Sequence, residues 1–330
     1  MLPQFLRTSI SSTAVLLLLL VSSAAAETGA QTGSSDPVQP YFANPWYWSY
    51  KGEPILLRGG ADDDNLFQWQ GDALTDHLDL LASTGGNYVR NTMSDRDEGN
   101  IQAFKRTSDG LFDLEEWNEE YWERLEFFLQ QTSERGIIVQ LTLWDSFDRR
   151  REGDAFAAAN NVNYPMEVID GIDAFYATVA TGNKTGLSFQ RKYVDRLLSS
   201  TLAHDHVLYN IDNESQGGRT WENYWAEYIH EKASEFGRRV YVTTMRFDPS
   251  NAVRAALSYP ELYDFVDISQ NNQDSRGARG PAHWQNIVFW RQLLLSGGRG
   301  PVPMNNVKVY GQGTSENFSA GTETEAVHRF

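Results

Sequence analysis

Residues 207–215 read Val-Leu-Tyr-Asn-Ile-Asp-Asn-Glu-Ser. Their alternating apolar character suits a strand, and that strand ends in Asn213 and Glu214. A carboxyl group at a strand terminus can hold a proton for a departing oxygen, while the amide beside it binds a hydroxyl of the same substrate. The plainer alternative is Glu214 as the cap of the following helix. Residues 61–69, Ala-Asp-Asp-Asp-Asn-Leu-Phe-Gln-Trp, offer a second polar cluster with Asp62, Asp64 and Trp69. A carboxylate accepts two hydrogen bonds from a vicinal diol. The three adjacent acids suit a hard cation such as calcium less well, because no regular ligand spacing is visible, and no metal is expected. Arg90, Asp95, Trp144, Asp145, Asn271 and Gln312 follow other apolar runs. A polar or aromatic residue after nearly every run fits a site that reads many hydroxyls. Trp69 and Trp144 are the candidate stacking platforms, with core packing as their competing role.

These residues need a scaffold that gathers many strand ends. Apolar runs at 55–59, 88–92, 137–143, 207–211, 240–244, 265–269 and 307–310 read as strands. Helical patterns lie between them: Trp117, Tyr121, Leu125, Phe128 and Leu129 share one face, as do Trp221, Trp225, Tyr228, Ile229 and Phe236, and Trp284, Ile287, Val288 and Leu295. Gly85, Gly136 and Gly237 stand where helix C-caps are expected. Repeated β-α units imply an α/β fold with a parallel sheet. The expected architecture is a (β/α)8 TIM barrel, since barrels place chemistry at the C-terminal ends of many strands; an open doubly wound sheet competes. Seven units are counted and the sequence stops within the helix after the seventh, so the expected barrel lacks its eighth strand. Tyr41 to Glu53, with a Lys51-Gly52 turn, reads as a hairpin under the barrel floor. Residues 149–187 form a long insertion, expected to wall a cleft.

Strand two ending in Asn87-Tyr-Val-Arg-Asn91, strand four ending in Asn213-Glu214, and the opening Lys51-Gly-Glu-Pro-Ile-Leu-Leu-Arg-Gly-Gly60 together resemble the glycoside hydrolase superfamily of (β/α)8 barrels that includes cellulase-like family 5. The likeness spans residues 41–330, on short motifs. It implies hydrolysis of a glycosidic bond in a poly- or oligosaccharide, with Glu214 as acid/base, Asn213 on the sugar 2-hydroxyl and Arg90 supporting a nucleophile. Such families end strand seven in a glutamate, but here the run is Val307-Lys-Val-Tyr-Gly-Gln-Gly313, with Gln312 at that place. A neutral amide cannot be the nucleophile. The second carboxylate is then sought at Asp145, Asp62, Asp95 or Glu316. The alternatives are a carbohydrate-binding protein without catalysis, or an inactive fragment.

Residues 1–26 read as a secretory signal: Arg7, an apolar run from Ala14 to Val21, then small residues to Ala26. A flexible leader (27–40) and a single barrel domain (41–330) follow, and the expected location is secreted or periplasmic. The 330 residues carry 28 Lys plus Arg against 44 Asp plus Glu, a charge of −16. That surface disfavours nucleic acid. The absence of Cys excludes disulfides, thiolate zinc sites and cysteine nucleophiles. No organic cofactor is implied and no span beyond the signal is expected. Oligomeric state is not legible here.

Overall fold

The computed structural model describes residues 36–61, 63–246, 249–269 and 281–306. β1 (Gln39–Pro40), β2 (Trp48–Tyr50) and β3 (Glu53–Ile55) form an antiparallel sheet in chain order. The β2–β3 turn is Lys51-Gly52, with φ of 52° and 82°. Two consecutive left-handed residues are what a two-residue hairpin loop needs to match strand twist. α1 (Gly71–Ser83) leads to β4 (Tyr88–Thr92). A second hairpin, β5 (Phe104–Arg106) with β6 (Phe112–Trp117), leads into α2 (Glu119–Glu134) and β7 (Ile138–Asp145). α3 (Gly171–Ala177) and α4 (Lys184–Thr201) separate β7 from β8 (Val207–Asn213). α5 (Arg219–Glu235), β9 (Val242–Thr243), α6 (Pro249–Ser258), β10 (Val266–Asp267), α7 (Pro281–Ser296) and β11 (Met304–Asn305) follow. No helix among the described residues is long and apolar enough to cross a membrane.

β4, β7, β8 and β9 pair in parallel in that order, and β10 pairs in parallel with β11. The Asp264 N–H donates to the Val242 carbonyl at 2.9 Å and joins the two sheets. At the opposite edge Gly59 bridges Tyr88 in parallel. Seven parallel positions therefore curve into the arc of a (β/α)8 barrel; among the described residues the arc is not closed. The expected first strand is thus shorter than its sequence suggests: Glu53–Ile55 belongs to the hairpin, and only Gly59 pairs with β4. The expected seventh strand, 307–310, lies outside the described residues, and β11 begins just before it.

The larger core lies between sheet and helices. Tyr121, Leu125, Phe128 and Leu129 of α2 are buried there, as are Trp221, Trp225 and Ile229 of α5. Phe236 and Leu295, assigned to apolar faces from spacing, are instead exposed; Phe236 is the residue that caps α5. A second cluster joins Trp48 and Tyr50 to Tyr88, Ile138, Leu208, Tyr241 and Phe265, residues at the starts of successive strands. The hairpin therefore plugs the barrel floor, as its aromatic sequence implied.

Inside the sheet, pairing passes from Thr142↔Asn210 to Trp144↔Asp212. Strict alternation would put Trp144 on the same face as Thr142. Instead Leu143 and Trp144 both join the helix-side core. Trp144 packs against Phe156, Phe175, Tyr193 and Trp225 at centroid distances of 4.8–5.8 Å. The insertion after β7 supplies Phe156, Tyr164, Ile169 and Phe175 to this core, so much of it is packed interior. Asn183 caps α4 by accepting from the Gly186 N–H at 3.0 Å.

Candidate active site

At the C-terminal end of the sheet, β8 stops at Asn213 and Glu214 turns into the left-handed region with φ of 52°. The chain then returns to extended pairing, because Ser215 bridges Arg246 and its N–H donates to the Met245 carbonyl at 2.9 Å. A single left-handed glutamate thus kinks the strand end. Such a conformation is uncommon outside glycine and costs on the order of 1–3 kcal/mol, strain that concentrates at functional sites. Glu214 remains partly exposed, whereas Asn213 is buried.

Asn213 is held from both sides. Its Oδ1 accepts from Arg90 Nη1 at 2.8 Å, and its Nδ2 donates to Asp145 Oδ1 at 3.1 Å. Arg90 lies at the middle of β4, with its other terminal nitrogen on Asp64 Oδ2. Asp64 Oδ1 accepts from Arg96, which also pairs with Asp145 Oδ2. The result is a closed ring of two arginines and two aspartates completed by an amide, Arg90–Asp64–Arg96–Asp145–Asn213. It links the segment after Gly59 to the ends of β4, β7 and β8. The backbone secures the same segment, since the Asp64 carbonyl accepts from the Thr92 N–H at 2.5 Å and Asn91 Oδ1 accepts from the Phe67 N–H at 3.0 Å.

Sequence expectations divide on this geometry. Arg90, Asn213, Asp145 and Asp64 come together, with Glu214 next to Asn213. Asp145 is enclosed: its side chain has 0% exposure, and Arg96, Asn213 and the Phe147 N–H occupy its oxygens. That environment holds a charge in place and leaves none of the carboxylate surface open to a substrate. Asp95 stands at the rim, paired with Arg151. Trp69 is half-buried, donating to Asp63 Oδ2 at 3.4 Å and tilted against His77. Trp144, 2% exposed inside the aromatic core, offers no face to a ligand, and that expectation is corrected. The exposed aromatic at this strand end is Phe147, with the Arg150 guanidinium 5.5 Å from its ring centre. Asp62, Asn271 and Gln312 lie outside the described residues.

Three groups escaped sequence reasoning. Arg96 closes the ring; its only signal was a cation placed among acids just after a strand. Burial works against its charge, but Asp145, Asp64 and Asp97 outweigh it and hold its proton more firmly than usual. Asp148 accepts from Ser94 Oγ at 3.0 Å. Burial, then the charge of Asp145, push it up to about 8, against the pull of Arg149 and Arg96. Asp145 and Asp148 line a cavity of about 30 Å3 with Asp95, Tyr121, Arg149 and Tyr193, room on the scale of a water molecule. Asp212 is buried under α3 and accepts from the Tyr176 hydroxyl at 2.6 Å. Burial raises it well above the carboxylate range, and that hydrogen bond only partly offsets the effect.

No protein-family model matches the chain, and no curated protein matches its sequence. Solved structures do match its fold. A family 5 glycoside hydrolase mannosidase from Rhizomucor miehei, in complex with mannosyl-fructose, aligns with TM-score 0.55 and 12% identity over 82% of this chain and 71% of that one. An endo-1,4-beta-mannanase from the same organism gives 0.53 and 14% over 81% and 80%. A family 5 glycoside hydrolase from Bacteroides vulgatus gives 0.50 and 12% over 85% and 56%. Likeness at such identities concerns backbone architecture, and on it the chain has the (β/α)8 fold of the family 5 glycoside hydrolases.

Proposed function

We propose that the chain is an exported O-glycosidase acting on a poly- or oligosaccharide, with Glu214 as general acid/base and no organic cofactor. The observation that carries this reading is the kinked end of β8, where a partly exposed glutamate in a left-handed conformation follows an asparagine locked by Arg90 and Asp145. Glu214 donates its proton to the departing glycosidic oxygen, and the Asn213 amide orients a neighbouring hydroxyl. The signal-like residues 1–26 support export.

The test is release of reducing ends from a polysaccharide panel. Mannans come first, because a mannosidase and a mannanase share the fold. Glu214→Gln is expected to lower the rate by about 10²–10⁴-fold, less for substrates with good leaving groups. Hydrolysis undiminished in that variant would remove Glu214 from the role. Binding of the sugar with no released ends would favour a carbohydrate-binding protein.

A further inference from the structure

Glycoside hydrolysis by two carboxyl groups needs a partner for Glu214, and residue 312 is a glutamine. We propose that Asp64, from the loop after the first strand position, is that second carboxyl group and acts as the nucleophile; this rests on the glycosidase reading above.

Accessibility separates it from its neighbours. The Asp64 side chain keeps 18% of its surface open, against 0% for Asp145 and 2% for Asp148 and Asp154. Asp95 is comparably open at 17%, but it pairs with Arg151 and makes no hydrogen bond or ion pair with Arg90 or Asn213 among the described residues. Position is the second ground. One guanidinium, that of Arg90, meets Asp64 on one terminal nitrogen and Asn213 on the other. The loop carrying Asp64 is therefore held by one side chain to the strand end that carries Asn213 and, next to it, Glu214. A retaining mechanism requires the two carboxyl groups to stand about 5–5.5 Å apart, closer than the pair that admits a water. The third ground is preorganisation: each Asp64 oxygen accepts from a different arginine, and the Asp64 backbone is tied to β4. Arg90, expected from the family likeness to support a nucleophile at strand seven, supports one from strand one.

In the first step an Asp64 oxygen attacks the anomeric carbon, the glycosidic C–O bond breaks, and the Glu214 proton passes to the departing oxygen. In the second, Glu214 takes a proton from water as the water oxygen attacks the same carbon. The ester bond to Asp64 breaks, and both carboxyl groups return to their starting states.

The experiment uses whichever substrate the wild type hydrolyses. No hydrolysis of any panel member would sink the glycosidase reading, and the nucleophile with it. Given hydrolysis, proton NMR of the first-formed product should show retention of anomeric configuration; inversion overturns the proposal alone. Asp64→Ala should lose more than about 10³-fold in rate. Added azide should restore turnover and yield a glycosyl azide of configuration opposite to the substrate. Loss without rescue makes Asp64 a positioning residue for Arg90 and overturns the assignment. Should Asp64→Ala fail to fold, the wild type is inactivated with a 2-deoxy-2-fluoro glycosyl fluoride of the matching sugar and digested. A label on Asp64 supports the proposal; a label on another residue, such as Glu316, overturns it.

Discussion

Glu214 sits in a backbone conformation that a glutamate tolerates poorly and a glycine adopts freely. Replacing it should therefore separate stability from activity. Glu214→Gln keeps the strain, and Glu214→Gly releases on the order of 1 kcal/mol. Both should show the loss of rate given above for Glu214→Gln, with the glycine variant melting about 2 °C higher; equal melting temperatures would mean that the kink is unstrained. Asp148 makes a second prediction. Its proton is held up to about pH 8 in the fold but leaves near pH 4 in the unfolded chain. The stability it contributes is complete below pH 4 and is lost as pH rises toward 8. Asp154, Asp212 and Asp267 are raised in the same direction by burial. The wild-type melting temperature should fall across that window, and Asp148→Asn should show a shallower fall; parallel curves would remove Asp148 as a contributor. At this scale the sequence revealed residue types well and their exposure badly. The sequence put Asp145 forward as a second carboxylate and Asp64 only as a hydroxyl contact, and the structure encloses the first and leaves the second partly open.

The strands and helices were legible because their apolar periods are long and their ends are marked. Gly136 and Gly237 end α2 and α5 at φ of 65° and 76°, as their positions implied. β4 falls where its run of apolar residues put it, and β7 and β8 extend two residues further than theirs. Three features were not legible. The β5–β6 hairpin has no long apolar run and alternates only over Phe112-Asp-Leu-Glu115, the first strand is reduced to a bridge at Gly59, and the alternation of β7 breaks at Leu143-Trp144. That break is stabilised by partners far away in sequence, Phe175 and Trp225 among them, so no local pattern announces it. It also makes a prediction. Trp144→Ala should cost about 3–5 kcal/mol by leaving a cavity between β7, α4 and α5, measured by denaturant unfolding. A sugar platform would instead show normal stability and weakened binding. Gly59→Ala tests the bridge: a Cβ there would lie 1.6 Å from the Tyr88 carbonyl oxygen, so the first strand position must move away from β4.

The molecule as a whole is tied together by a buried polar chain above its floor. Trp48 Nε1 donates to Asn305 Oδ1 at 2.9 Å. Asn305 Nδ2 donates to Gln140 Oε1 at 2.9 Å and to the Tyr88 hydroxyl at 3.2 Å. Gln140 Nε2 donates to Asp267 Oδ2 at 2.7 Å. One asparagine on β11 thus connects the hairpin, β4 and β7 across the interior, although 257 residues separate it from Trp48. Asn305 also faces Asp267 directly across the β10–β11 pair, and burial already raises the Asp267 carboxyl. Asn305→Ala should cost about 1–3 kcal/mol by leaving buried partners unpaired. Asn305→Asp should cost more near neutral pH, because it sets two buried carboxyl groups side by side, so that their joint ionisation is disfavoured. That added cost is absent below about pH 4, where both acids are protonated in folded and unfolded chains alike, and it grows as pH rises. Melting curves of the two variants should therefore converge at low pH and separate toward neutrality. A separation independent of pH would mean that position 305 is wetter than its 5% exposure indicates. Amide exchange in β2 should quicken in Asn305→Ala, where the floor loses the hydrogen bond that binds Trp48 to the barrel, and not in Asn305→Asp, which keeps the acceptor oxygen.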